Sequence, residues 1–232
     1  MTDVKPEKLS PDEQSNLDNR LFNAAIAGDK EEMRALLVAG ADVHAQDDQA
    51  LRGAAENGHT QMVQTLLAAG AKVHAKDDYA LRCAALNGHM EAVKALLAAG
   101  ASVHARGDWP LCMSALNGHT EVVKSLLAAG ADVHAKDDFG LWWAVEQGHI
   151  ETLQVLAKHI FAPDVWRGKS VAAIEAEARA LYTKIEINNP QPERLHKAAT
   201  ILADSAIDCW HQVRPAPPKL QISSLPAQPR PV

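Results

Sequence analysis

The sequence predicts an all-α fold, a helical solenoid with short turns between its units and a helical pair at its C-terminal end. The first observation is a 30-residue period. His44, His74, His104 and His134 fall in register, and so do Gly58, Gly88, Gly118 and Gly148, each followed by His. Leu66-Leu67, Leu96-Leu97 and Leu126-Leu127 complete the pattern. Self-similarity at such a period marks a stack in which each unit buries its apolar face only against its neighbours. The second observation is that apolar residues inside each unit recur at helical spacing. The third is composition: aromatic residues make up only 4% of the chain while Ala and Leu dominate, as close stacking of short helices requires.

The unit 71–100 shows the elements most plainly. Leu81, Ala84 and Ala85 lie at i, i+3 and i+4 and give a first helix a small apolar stripe. Asn87-Gly88 ends that helix, because Gly accepts the left-handed conformation needed just past a helix end. A second helix turns Val93, Leu96 and Leu97 inward and Glu91 and Lys94 outward, and Gly100 stops it in the same way. Ala98 and Ala99 are expected to let the next helix pair approach closely. Helices of about a dozen residues are marginal alone in water, so stacking has to supply the stability.

Residues 1–16 form an N-terminal polar segment and cap: 1–9 are expected to be disordered, and Ser10-Pro11-Asp12-Glu13 reads as a capping box with Pro at the first helical position. Repeat one occupies 17–48. Its Asp29 stands where later units carry His and suits the N-cap of a helix over 31–38. Asp18, Asn19 and Arg20 put polar residues where an internal unit would be buried, as a terminal repeat does. Repeats two, three and four occupy 49–78, 79–108 and 109–138. Repeat five, 139–162, keeps Gly148-His149 and then leaves the pattern at Lys158-His159-Ile160-Phe161.

Residues 163–214 follow a different rule. Val171, Ile174, Ala178, Leu181 and Ile185 share one helical face, Asn188-Asn189-Pro190 breaks the helix, and Leu195, Ala199, Leu202, Ala206, Cys209 and Val213 form a second amphipathic seam. Two antiparallel helices of this kind, with Trp166 and Trp210, suit a cap over the exposed end of the stack; a dimerisation or docking element is the alternative. The Pro-rich tail, 215–232, has no core-forming series and is expected to be disordered.

The net charge of −6 and a pI near 6.0, with no strongly basic segment, argue against a nucleic-acid partner. Cys83, Cys112 and Cys209 lack paired spacing and read as free thiols in a reducing compartment. The first residues lack the apolar run of a signal peptide, and no stretch is long enough to span a membrane, so a cytoplasmic, monomeric protein is expected.

Several apparent motifs dissolve on inspection. Eight histidines recur from His44 to His149, but stacked helices stand about 8–10 Å apart, too far for a row of imidazoles to share one ion. They read as structural, and no metal or other cofactor is expected. Gly168-Lys169-Ser170 lacks the earlier Gly of a phosphate loop, since Pro163 stands there. Arg106-Gly107-Asp108 is in register with Lys76-Asp77-Asp78 and is explained by drift within the repeat. Pro215-Ala216-Pro217-Pro218 and Pro226-Ala227-Gln228-Pro229 have the spacing of polyproline II ligands, which is common in any Pro-rich tail. No nucleophile–base–acid grouping appears, so no enzyme is expected.

The elements Leu-x-x-Ala-Ala-x-x-Gly-His, Glu-x-Val-Lys-x-Leu-Leu and Gly-Ala-Asp-Val-x-Ala resemble ankyrin repeats over about residues 17–160. The family unit has about 33 residues and opens its first helix with Thr-Pro-Leu-His. Here the unit is shorter, only Pro110 keeps the Pro, and Arg52, Arg82, Cys112 and Trp142 replace the His. The missing residues fall between units, which implies stubby turns in place of projecting fingers.

The resemblance implies a protein-binding module that holds an unidentified protein partner along a concave face made by first helices and turns. The positions that vary most should mark that face: Gln49, Tyr79, Trp109 and Phe139 at the turn, and Glu56, Leu86, Leu116 and Glu146 late in the first helix. Tyr79, Leu86, Trp109, Leu116 and Phe139 are therefore expected to form an apolar centre between acidic ends. The alternative is that these aromatics merely cover the shortened turns. A second functional reading is a regulatory or assembly subunit that acts through the C-terminal helices, with the repeats as scaffold.

Overall fold

The computed structural model describes residues 10–167, 169–188 and 192–213. The expectations for 1–9 and for the tail 215–232 lie outside the described residues. First helices α1 (Pro11–Ala27), α3 (Ala45–Glu56), α5 (Ala75–Leu86), α7 (Trp109–Leu116) and α9 (Ala135–Gln147) alternate with second helices α2 (Lys30–Val38), α4 (Thr60–Ala68), α6 (Met90–Ala98), α8 (Thr120–Ala128) and α10 (Ile150–Ile160). A short α11 (Pro163–Trp166) leads to α12 (Val171–Asn188) and α13 (Pro192–Val213), and no strand occurs among the described residues. This is an all-α helical solenoid with short turns and a C-terminal helical pair.

Local chemistry sets the helix ends. Ser10 Oγ accepts the Glu13 N–H at 3.3 Å while Glu13 Oε2 accepts the Ser10 N–H at 2.9 Å, so the capping box closes in both directions. Asp29 caps α2 by accepting the Glu32 N–H at 3.0 Å.

The core is a set of columns, one residue per repeat. Leu21, Leu51, Leu81, Leu111 and Leu141 form the first-helix column, and Leu36, Leu66, Leu96, Leu126 and Leu156 the second-helix column, all fully buried. Truncating any one to Ala removes about 2–5 kcal/mol, because rigid neighbours on both sides cannot collapse into the cavity. First helices approach one another more closely than second helices do, since Ala80, Ala84 and Ala85 and their register mates face across that interface. The array therefore bends with its first helices on the inner side.

Three expectations need correction. Ala98 and Ala99 are exposed and mediate no close approach; the second-helix phase fixed by Val93 and Leu96 carries them to the solvent side. Leu97 is half-buried, against the fully inward position expected of it. Asp18 is not part of a polar outer face. It is the register mate of Asp48, and its Oδ1 accepts the Asp42 N–H at 2.7 Å.

That bond belongs to a ladder that joins the repeats. Asp48, Asp78 and Asp108 are buried, and each Oδ1 accepts a backbone N–H of the next unit, from Lys72 at 2.7 Å, Ser102 at 2.9 Å and Asp132 at 2.9 Å. The same carboxylates accept Nδ1–H of His44, His74 and His104 at 2.9–3.0 Å. Reaching this geometry requires a left-handed turn: Lys76, Asp77 and Asp78 have φ of 50°, 57° and 54°, and three of the other units repeat the pattern. Each left-handed L-residue costs roughly 1–2 kcal/mol, which the charge-assisted hydrogen bonds offset.

The second histidine row joins units through the other ring nitrogen. Nε2 of His59, His89, His119 and His149 lies 2.8–3.0 Å from the carbonyls of Ile26, Glu56, Leu86 and Leu116 in the preceding unit. Each ring rests on the preceding Gly. At Gly88 a Cβ would stand 2.6 Å from His119 Nδ1, and φ is already +75°. Both facts demand glycine there.

At the C-terminal end, α13 packs on α10 and α11, and α12 packs on α13 and α9. Ile174, Leu181, Ile185, Leu202, Ala206 and Cys209 are buried in these contacts, Ala178 and Ala199 are half-buried, and Trp166 Nε1 donates to the Ile160 carbonyl at 2.7 Å. The side chains of Val171, Leu195, Trp210 and Val213 and the break 189–191 lie outside the described residues. Asp138, which has no sixth unit to bind, receives the Lys184 ammonium from α12.

Candidate partner-binding surface

Leu81, Ala84 and Ala85 are the fully buried core residues of α5, so the helix turns Tyr79 and Leu86, both half-buried, toward the inner side of the bend, with Arg82 and Cys83 buried beneath them. The same phase in α7 presents Trp109, Met113 and Leu116, with Cys112 buried beneath them, and in α9 Phe139, Trp142, Trp143 and Glu146. Tyr79, Leu86, Trp109, Leu116 and Phe139 are each half-buried, and none joins the hydrophobic core. The Leu86 carbonyl accepts from His119 and from the Asn117 amide, and the Leu116 carbonyl accepts from His149.

Arg82 links Tyr79 and Trp109, while Phe139 pairs with the tryptophans of its own helix. The Arg82 guanidinium lies 5.1 Å from the Tyr79 ring centroid and 5.7 Å from that of Trp109, and Arg52 lies 5.4 Å from Tyr79. The result is a stack of alternating cations and rings. Both arginines also close a left-handed turn: Arg82 donates to the carbonyls of Asp77 at 3.0 Å and Lys76 at 3.1 Å, and Arg52 donates to those of Asp47 at 3.2 Å and Gln46 at 2.9 Å. Phe139 belongs instead to an aromatic cluster with Trp142 and Trp143, whose own centroids are 4.5 Å apart. Nε1 of both tryptophans and Oε2 of Glu146 are buried without a hydrogen-bond partner among the described residues.

Half-buried Arg52, Trp142 and Trp143 and the buried Arg82 beneath the Tyr79 and Trp109 rings belong to this surface and were not reached by sequence reasoning. The signal lies in the column Arg52, Arg82, Cys112, Trp142, which departs from the His of the repeat pattern. Glu56 and Glu146 bracket the apolar centre late in α3 and α9.

The surface offers little reactive chemistry. Burial pushes the Cys112 thiol up to about 11 and raises that of Cys83, while the hydrogen bond with Cys83 raises the Tyr79 phenol. All three groups stay protonated near neutral pH. The three cysteines are unpaired. Asp108 of Arg106-Gly107-Asp108 is turned inward as a ladder carboxylate, and Ser170 Oγ accepts the Ala173 N–H at 3.2 Å at the start of α12. Among the described residues no cluster of His, Cys, Asp and Glu has the arrangement to hold a metal ion, and no helix is long and apolar enough to cross a membrane.

A second concave feature lies outside the repeats. An open cleft of about 400 Å³ between α12 and α13 is lined by Ile174, Ala178, Tyr182, Leu202 and Ile207, with Glu175 and Arg179 at its rim.

Among known families, a model described as ankyrin repeats (3 copies) matches residues 55–137 and 81–169. A second, described as ankyrin repeats (many copies), matches residues 21–67. No curated protein matches the chain.

Proposed function

Since the chain belongs to the ankyrin repeat family, whose repeats are generally protein–protein interaction modules, we propose that it is a non-catalytic binding module holding a partner protein along its first-helix face. One observation carries the reading. Tyr79, Leu86, Trp109, Leu116, Phe139, Trp142 and Trp143 form a run of large apolar groups on the inner side of the bend, and none of them joins the core. Large rings held in place by Arg52, Arg82 and one another lose little entropy when a partner covers them, which is the character of a hot spot. The C-terminal helices act as the cap of the array, and the chain works as a cytoplasmic monomer. The thiols, unpaired and buried, suit a reducing compartment.

The test is Leu86→Glu combined with Leu116→Glu, which copies Glu56 and Glu146 at the same register and so introduces nothing the scaffold does not already hold. Tagged wild type and double variant are compared by quantitative mass spectrometry of co-purifying proteins, alongside thermal melts. The expected result is an unchanged melt with loss of the partner. An unchanged partner would move the site elsewhere, and the cleft between α12 and α13, with Ile207 51% exposed beside it, is the place it would move to.

A further inference from the structure

The turn tips carry a chain of ion pairs between successive units, and the chain is broken at one place. Lys76 Nζ lies 3.2 Å from Asp47 Oδ2, and Arg106 Nε lies 3.9 Å from Asp77 Oδ2. Lys136 is next in this series, but the position that should hold its aspartate is Gly107. A Cβ built on Gly107 would stand 3.6 Å from Lys136 Cε, so the lysine crosses the turn just as its register mates do and finds no carboxylate there. Lys136 is exposed and makes no ion pair or hydrogen bond among the described residues.

The other cations of this face are engaged. Arg52 and Arg82 donate to turn carbonyls, while Lys76 and Arg106 face aspartates. Lys136 also stands at the most aromatic part of the surface. It lines an open cavity of about 420 Å³ together with Phe139, Trp142, Leu181 and Ile185. Asp137, Asp138 and Lys184 line the same cavity, but both carboxylates act on the Lys184 ammonium, and Asp138 binds it directly.

We propose that Lys136 is the anchoring cation of the partner surface and receives a carboxylate from an acidic segment of the partner protein, whose neighbouring apolar side chain packs on Phe139 and Trp142. The inference rests on the first-helix face being the partner surface. An exposed ion pair contributes little, but one closed against aromatic rings and sealed from water by a bound segment contributes more and fixes register. Gly107 is the residue that makes this possible. Aspartate at that position, as in the units on either side, would consume the lysine internally.

Gly107→Asp is therefore the decisive variant. Asp47, Asp77 and Asp137 hold φ of 57–58° at the matching position, so the scaffold accepts aspartate there. Lys136→Gln serves as a second variant that leaves the turn unaltered. Random peptides displayed on phage are selected on the full chain, and an enriched peptide is synthesised with its carboxylate and with the corresponding amide. Enrichment of Asp or Glu at a fixed distance from Leu, Phe or Trp is expected. Gly107→Asp, Lys136→Gln and the amide peptide should each weaken binding by roughly fivefold, and the amide should cost nothing further against either variant. Peptides that lose affinity on Leu86→Glu with Leu116→Glu but ignore Gly107→Asp and Lys136→Gln would overturn the role of Lys136 and leave the surface standing. Peptides that ignore all of these variants would overturn the surface and the proposal together, and a selection that enriches nothing acidic would overturn the proposal.

Discussion

Asp78 joins three parts of the chain with one carboxylate. It accepts the Ser102 N–H of the next unit and Nδ1–H of His74, both at 2.9 Å, and it fixes the left-handed turn on which it sits. Removing it leaves a part-buried N–H without that partner and a left-handed turn held by the Arg82 bonds to the Asp77 and Lys76 carbonyls in place of the carboxylate. Asp78→Ala should lower stability by about 1.5–3 kcal/mol in urea unfolding, and Asp78→Asn by less, since its carbonyl oxygen retains one acceptor. Equal losses for both would show that the charge, rather than the accepted hydrogen bonds, does the stabilising. The recurrence of Asp48, Asp78, Asp108 and Asp138 was legible in the sequence, but their role was not. Asp tolerates positive φ singly, but three consecutive left-handed residues opening on Lys are not expected, so Lys76-Asp77-Asp78 reads as an ordinary polar turn until the backbone is seen. Asp18 was misplaced for the same reason, because a polar residue before Leu21 looks like a solvated end unless the ladder is known.

At the scale of elements, periodicity located the paired helices because two columns of leucine and one of glycine-histidine return at a fixed interval. It did not locate Ala98 and Ala99 correctly. Small residues suggest close packing, yet helix phase decides which way they face, and Val93 and Leu96 leave the last turn of α6 to solvent. The C-terminal pair is the element whose role is easiest to probe. Leu202 is 1% exposed in α13 and joins the same core as the repeats. Leu202→Asp should cost roughly 2–4 kcal/mol, since a carboxylate has no partner in that seam. It should also open α10 to proteolysis, as expected if the pair caps the last repeat. A variant that keeps its stability and changes its oligomeric mass would instead make the pair an assembly element.

Over the whole molecule, three ladders run the length of the stack: the leucine core, the aspartate bonds to the next unit, and the histidine bonds to the preceding one. Each depends only on neighbours, and Lys184 ends the aspartate ladder in place of a further unit. What varies along the stack is the inner face, which passes from Gln49 and Arg52 through Tyr79, Arg82 and Trp109 to Phe139, Trp142 and Trp143. Individual members of that face were legible as departures from the repeat. Their grouping was not, because the arginine–ring stack and the tryptophan cluster depend on side-chain reach between units. The claim that a partner is held there, and not at the C-terminal cleft, is tested most directly by carbene footprinting of the chain alone and in the complex it forms with its captured partner. Loss of labelling at Tyr79, Leu86, Trp109, Leu116 and Phe139, with Tyr182 and Ile207 unchanged, is the predicted result. Protection confined to Tyr182 and Ile207, with the first-helix face labelled as in the free chain, would contradict it.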